Sequence, residues 1–224
     1  MALVQSGATD TAGSGGSLVI TLAQALTPGN YITVWALGVG GVVTPTGSDN
    51  GASGGNVYTL QQSDQSGVFV SPCCMFTAPV TKSATTITIT GCVKTTGFYA
   101  EESGVSAVDL SNIAANQGST STPTTSVTTS QSHVVAYSMV CYGNGTRTFT
   151  QNSGIALPTG NGITTGQHDN ATAGSSMFLQ RAVVSGAGLI NGTVNSSPSV
   201  NGADSIILTL IQSALSTATV AWLT

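Results

Sequence analysis

The chain has 224 residues, 28 of them Gly, 28 Ser and 34 Thr, but only 4 Lys or Arg and 8 Asp or Glu, for a net charge of −4. Charged side chains make up 5%, against about a quarter in ordinary soluble domains. Four cations cannot neutralise a nucleic-acid backbone or hold an anionic lipid surface, so neither partner is expected; a content of 40% apolar residues argues against disorder.

Met1 to Gln5 has neither the basic start nor the long apolar stretch of a secretory signal, so the expectation is a chain made in the cytoplasm. Ser17 to Leu22 is rich in β-branched residues and follows a Gly/Ser run, which predicts a loop feeding a strand. Thr27-Pro28-Gly29-Asn30 has turn chemistry, since Pro fixes one dihedral and Gly supplies the positive one. Tyr31 to Leu37 carries apolar side chains on both faces, the mark of a central strand covered on each side. The Gly-rich stretch 38–56 reads as a long surface loop, interrupted at Val42-Val43. Residues 56–61 and 68–76 predict a hairpin across the polar connection 62–67. Thr85 to Thr90 alternates strictly, with Ile87 and Ile89 inward and Thr86, Thr88 and Thr90 outward. Gly97 to Glu102 predicts a further strand.

Val108 to Ala115 offers one or two helical turns at most. Asn116 to Ser130 has a single apolar side chain and no charge, and reads as a low-complexity connector between two halves of one domain spanning 1–224. Ser132 to Tyr142 is the most apolar run and predicts a second central strand. Asn144-Gly145 signals a tight turn returning into a strand at 146–150. Strands over 177–184, 189–194, 205–211 and 218–223 complete the set. Ser205 to Thr224 is uncharged, but its Gln212, Ser and Thr content reads as two strands and not as a membrane-crossing helix. The expected fold is all-β: a two-sheet antiparallel β-sandwich, jelly-roll-like, of about 11–12 short strands. Pro28-Gly29-Asn30 entering Tyr31 to Ala36 is echoed by Ser130 to His133 entering Val134 to Met139, as related halves would produce.

No set of residues converges on chemistry. His133 starts an apolar strand, and His168-Asp169 lies in a polar loop with no Gly-x-Ser-x-Gly elbow to complete a triad. Glu101 and Glu102 alternate across a strand and so cannot face one cleft, as a glycosidase pair must; one is expected toward solvent and the other at a strand end or an interface. Ser48-Asp49-Asn50-Gly51 and His168-Asp169-Asn170 fall short of a calcium loop and read as Asx-turns. Cys73, Cys74, Cys92 and Cys141 lack zinc spacing and read as buried thiols, with a bridge from Cys92 to the Cys73/Cys74 pair as the alternative. Asn144, Asn170, Asn191 and Asn195 match the glycosylation pattern, which a chain this rich in Asn, Ser and Thr generates by composition. Trp35, Trp222 and the five Tyr read mainly as core, with sugar stacking as the other use. No catalytic, cofactor-binding or metal-ligating residue is assigned, no cofactor is expected, and an enzyme is not expected.

The Gly/Ser-rich start with Ser17 to Leu22, Pro28-Gly29-Asn30 before an apolar strand, Thr85 to Thr90, Glu102-Ser103-Gly104-Val105 and the Thr/Ser-rich connector before Val134 together resemble β-sandwich proteins of tailed-phage and prophage structural gene clusters. Where members often carry Pro-x-Gly-Trp in the first long loop, this chain has Thr44-Pro45-Thr46-Gly47 followed by Ser48. The resemblance implies a virion component: a capsid decoration or cement protein, head fibre or tail appendage. The expected partners are the major capsid protein or another virion protein and further copies of the chain, in a trimer. A carbohydrate-binding adhesin module at a fibre or tail tip is the alternative.

Overall fold

Thr, Val and Ile suit a pleated, half-buried surface, and the computed structural model, which describes residues 1–11, 16–38, 44–64, 73–91, 95–143, 145–151, 167–170 and 175–213, folds them into seventeen strands. The first eight are β1 (Ala2–Thr11), β2 (Ser17–Thr21), β3 (Tyr31–Gly38), β4 (Thr46–Asp49), β5 (Thr59–Ser63), β6 (Cys73–Pro79), β7 (Thr86–Thr90) and β8 (Thr95–Ser103). They form a five-stranded sheet, β1-β8-β3-β6-β5, and a three-stranded sheet, β2-β7-β4. Alternation drives the pairing of these two sheets: Leu18, Ile20, Ile87 and Ile89 point from the smaller one onto Ile32, Val34, Phe76 and Ala78 of the larger.

The remaining nine strands are β9 (Val105–Gln117), β10 (Ser126–Thr129), β11 (Val134–Tyr142), β12 (Thr148–Gln151), β13 (Gln167–Asn170), β14 (Ser175–Val184), β15 (Gly188–Asn191), β16 (Val194–Ser197) and β17 (Ala203–Gln212). They form a second five-stranded sheet, β13-β14-β11-β17-β9, and two pairs, β10-β15 and β12-β16. Substituting β9, β17, β11, β14 and β13 for β1, β8, β3, β6 and β5 turns one five-strand order into the other. In the smaller layer β10 takes the place of β2, β12 that of β4, and β15 with β16 that of β7. The chain thus contains the same jelly-roll-like sandwich twice. Gly192 marks where the β7 counterpart breaks: it is buried against Ser138, whose Cβ would lie 2.5 Å from a Cβ at this position.

The two five-stranded sheets face each other. Trp35, Met75 and Phe98 from one meet Tyr137, Met139, Leu179 and Leu208 from the other in one shared core. Phe149 and Val194 cover Val140 and Phe178 on the outside of the second sheet, and Val127 and Ile190 cover Ala136 and Ile207. The result is four layers, with the larger sheets inside and the smaller ones outside.

The all-β antiparallel sandwich architecture agrees with the sequence expectation, as do β3 and β11 at the centres of their sheets and the buried Ile87 and Ile89. The sequence echo falls on β3 and β11, which hold the same place in the two sheets. Four layers replace the expected two sheets, and the seventeen strands exceed the expected 11–12. Other elements differ. The loop at 38–56 contains β4, held by β7 through Thr46 to Asp49. The helical turns expected at 108–115 are part of β9, whose three register shifts against β17 disturb the alternation. The connector 116–130 holds the end of β9 and all of β10, and the two halves meet instead at Gly104, between β8 and β9. The strand after Asn144-Gly145 does not return along β11, both of whose edges are taken by β14 and β17; it pairs with β16 in the outer layer. The polar stretch 167–170 is an edge strand, and β1 was not foreseen. Val42-Val43, the start of 68–76 and residues 218–223 lie outside the described residues.

Candidate functional site

Among the described residues, β8 carries two of the three buried acidic groups, Glu101 and Glu102; the third, Asp204, is on β17. The alternation of β8 sends Glu102 toward the second half and Glu101 the opposite way, and both are 0% exposed. Neither faces solvent, which corrects the expectation for one of them. Across the central core, Arg181 on β14 grips Glu102 with two bonds, Nε to Oε1 at 2.5 Å and Nη2 to Oε2 at 3.0 Å. The Tyr137 hydroxyl on β11 donates to the same Oε1. Burial and the adjacent Glu102 charge push the Tyr137 phenol well above its ordinary value. Burial opposes the Arg181 charge, and the bonds to Glu102 more than offset it, so the guanidinium is held above its usual value. On the other face, Glu101 accepts from the Thr27 amide at 2.9 Å, Asn30 Nδ2 at 2.6 Å and Gln5 Nε2 at 2.6 Å, which ties the turn before β3 to β8.

Asp49 accepts from the Gly51 amide at 2.9 Å, an Asx-turn, and from Asn56 Nδ2 and the Tyr58 hydroxyl. Its oxygens face protein donors, and the Tyr58 phenol is raised by burial and then by the Asp49 charge. Cys73 donates to Asp204 at 3.3 Å at the interface of the two halves. Its thiol is raised first by a hydrogen bond with Cys141 and then by burial. Cys73, Cys74 and Cys141 are buried free thiols; Cys92 lies outside the described residues.

The other residues weighed for chemistry are scattered. His133 is exposed, and its ring Nδ1 bonds the hydroxyl of its neighbour Ser132 at 3.1 Å. Asp169 is exposed on the edge strand β13, in the other half from Asp49. Trp35 is 1% exposed and lies 5.0 Å from Tyr137, ring centre to ring centre, so it is core. Trp222 lies outside the described residues, and no aromatic among those described is exposed.

The outer faces differ in kind from this interior. On one side Ser17, Thr90 and Thr46 align across β2, β7 and β4, followed by Val19, Thr88 and Ser48. On the other, Thr128, Asn195, Ser197, Thr148 and Thr150 point outward from the counterpart strands. Both faces are uncharged. Glu101, Glu102 and Asp204 are buried, and among the described ionic residues only Asp10 and Asp169 are exposed. An open groove of about 360 Å³ lies beside the second face, between β9 and the β10-β15 pair. Sequence reasoning missed it, because its walls come from three separated segments with no motif in common.

Comparison with protein-family models, curated proteins and solved structures finds no match to this chain.

Proposed function

We propose that this chain is a virion structural protein of the capsid decoration or cement type, acting by surface contact and not by catalysis. One observation carries the reading: a chain with few charges holds several of them inside and presents two broad neutral faces of hydroxyl and amide groups. Copies set side by side then meet little mutual repulsion. A stable contact needs about 800 Å² from each partner. Repeated attachment over a shell multiplies a modest single contact into avidity. The partner in this reading is the major capsid protein or another virion protein, with the chain itself trimeric and located on the particle. The resemblance to phage and prophage β-sandwich proteins points the same way. Light scattering on the purified chain and gradient sedimentation of particles from the producing cells test it together. A trimer that travels with particles is expected; a monomer that never sediments with them overturns it.

The alternative of an adhesin with an aromatic sugar platform draws no support from the described aromatics. Trp35→Ala would disrupt the core without reporting on sugar binding, so any saccharide has to be held by other groups.

A further inference from the structure

The groove between β9 and β10-β15 has a chemistry of its own. Asn112 and Ala114 from β9 form one wall, Leu189 and Asn191 from β15 the other, and Thr124 and Thr125 lie at the entry to β10. No ionic residue lines it. Asn191 Oδ1 accepts from Thr124 Oγ1 at 2.8 Å and from Thr193 Oγ1 at 3.1 Å. Those bonds fix the amide plane and leave the exposed Nδ2 side of Asn191 as a donor edge. Thr125 is 5% exposed, and its hydroxyl has no hydrogen-bond partner. An unmatched buried hydroxyl is costly, so the wall of the groove holds, beneath its surface, a polar group whose bonding need is unmet. Leu189 is 69% exposed beside these groups.

These features select a class of ligand. Without cations the groove has no charge to match a phosphate, sulfate or carboxylate, and without anions none to match an amine. Amide and hydroxyl groups with one aliphatic wall match a ring that has hydroxyls around its rim and C–H groups on its face. The volume is at the small end for ligand sites, about 300–1,000 Å³, which suits a short saccharide. An added peptide strand would need free backbone on β10, but Asn112 Nδ2 already donates to the Ser126 carbonyl at 3.0 Å.

We propose that the groove walled by Asn112, Leu189 and Asn191 is a binding site for a neutral saccharide, with the Asn191 amide and Thr124 hydroxyl meeting sugar hydroxyls and Leu189 packing on the ring. The inference does not depend on attachment to a capsid, since a free chain would bind in the same way.

Saturation-transfer NMR on the full chain tests it, using glucose, galactose, mannose, N-acetylglucosamine and N-acetylgalactosamine at millimolar concentration, with sialic acid as the anionic comparison. Transfer to at least one neutral sugar is expected, and none to sialic acid. Leu189→Asp, which alters an exposed side chain, should weaken binding about tenfold or more by removing the apolar wall, with an unchanged melting temperature. Val57→Asp, at an exposed position outside the groove, should leave binding as in the parent. Absence of transfer to every neutral sugar, preference for sialic acid, or equal binding by Leu189→Asp and the parent overturns the site.

Discussion

At the scale of single residues, groups that look wrong for a core tie its two halves together. Glu102 and Arg181 join the two halves through two charge-assisted bonds, with Glu102 fully buried and Arg181 partly exposed. Removing one partner strands the other charge, so Arg181→Met should cost about 3–5 kcal/mol in urea unfolding. The double substitution Glu102→Gln with Arg181→Met should recover much of that loss; a double variant no more stable than the single one contradicts this assignment. A pH dependence follows from the phenols. Tyr58, Tyr99 and Tyr137 are each held above their ordinary value of 10.0, in every case first by burial. A group whose folded value is raised contributes stability fully present below its unfolded value and lost as pH rises toward the folded one. Thermal melting should therefore fall as pH is raised above about 10, and a melting temperature unchanged from there to stronger alkali would count against the buried placement of these side chains.

At the scale of elements, close approach of two strands sets the next expectation. Gly192 separates β15 from β16, donates to the Thr125 carbonyl at 2.9 Å and accepts from the Ser138 hydroxyl at 3.0 Å. A methyl group there meets a buried neighbour, so Gly192→Ala should destabilise by about 1–3 kcal/mol; a variant as stable as the parent in urea would show that β11 and the outer layer are less closely packed. What the sequence made legible follows the same physics. β3, β7 and β11 stand out because burial on one or both faces leaves a plain apolar pattern in Tyr31 to Leu37, Thr86 to Thr90 and Val134 to Tyr142. β1 is an edge strand of ALVQSGATDT, with little apolar signal, and nine register partners on β8 determine it. In β9 the three register shifts leave Val105, Val108 and Ile113 facing the shared core at uneven spacing, which neither a strand nor a helix period fits. The strand expected to return after Gly145 takes another partner, because Phe149 packs in the outer layer on Phe178, 6.1 Å away between ring centres; Asn144 lies outside the described residues. The buried ends of Glu101 and Glu102 were illegible for a related reason: their donors lie 35 to 96 residues away in the chain.

At the scale of the whole molecule, a repeated strand order sets the layout. Two copies of one strand order bury their larger sheets against each other and leave their smaller, neutral sheets outside. Because Trp35, Phe98, Tyr137 and Leu208 belong to one core contributed by both halves, the chain should unfold in a single urea transition, with tryptophan fluorescence and circular dichroism coincident. Two separated transitions would mean that the halves are independent. The proposed role of this stacked pair of sandwiches is that of an assembly module whose uncharged faces bind to a particle. Its most direct test is to quantify the chain in gradient-purified particles from the producing cells and locate it by cryo-electron microscopy. The account predicts many copies per particle, in density on the shell or an appendage; recovery of the chain solely in the soluble fraction, with none in the particle peak, would contradict it.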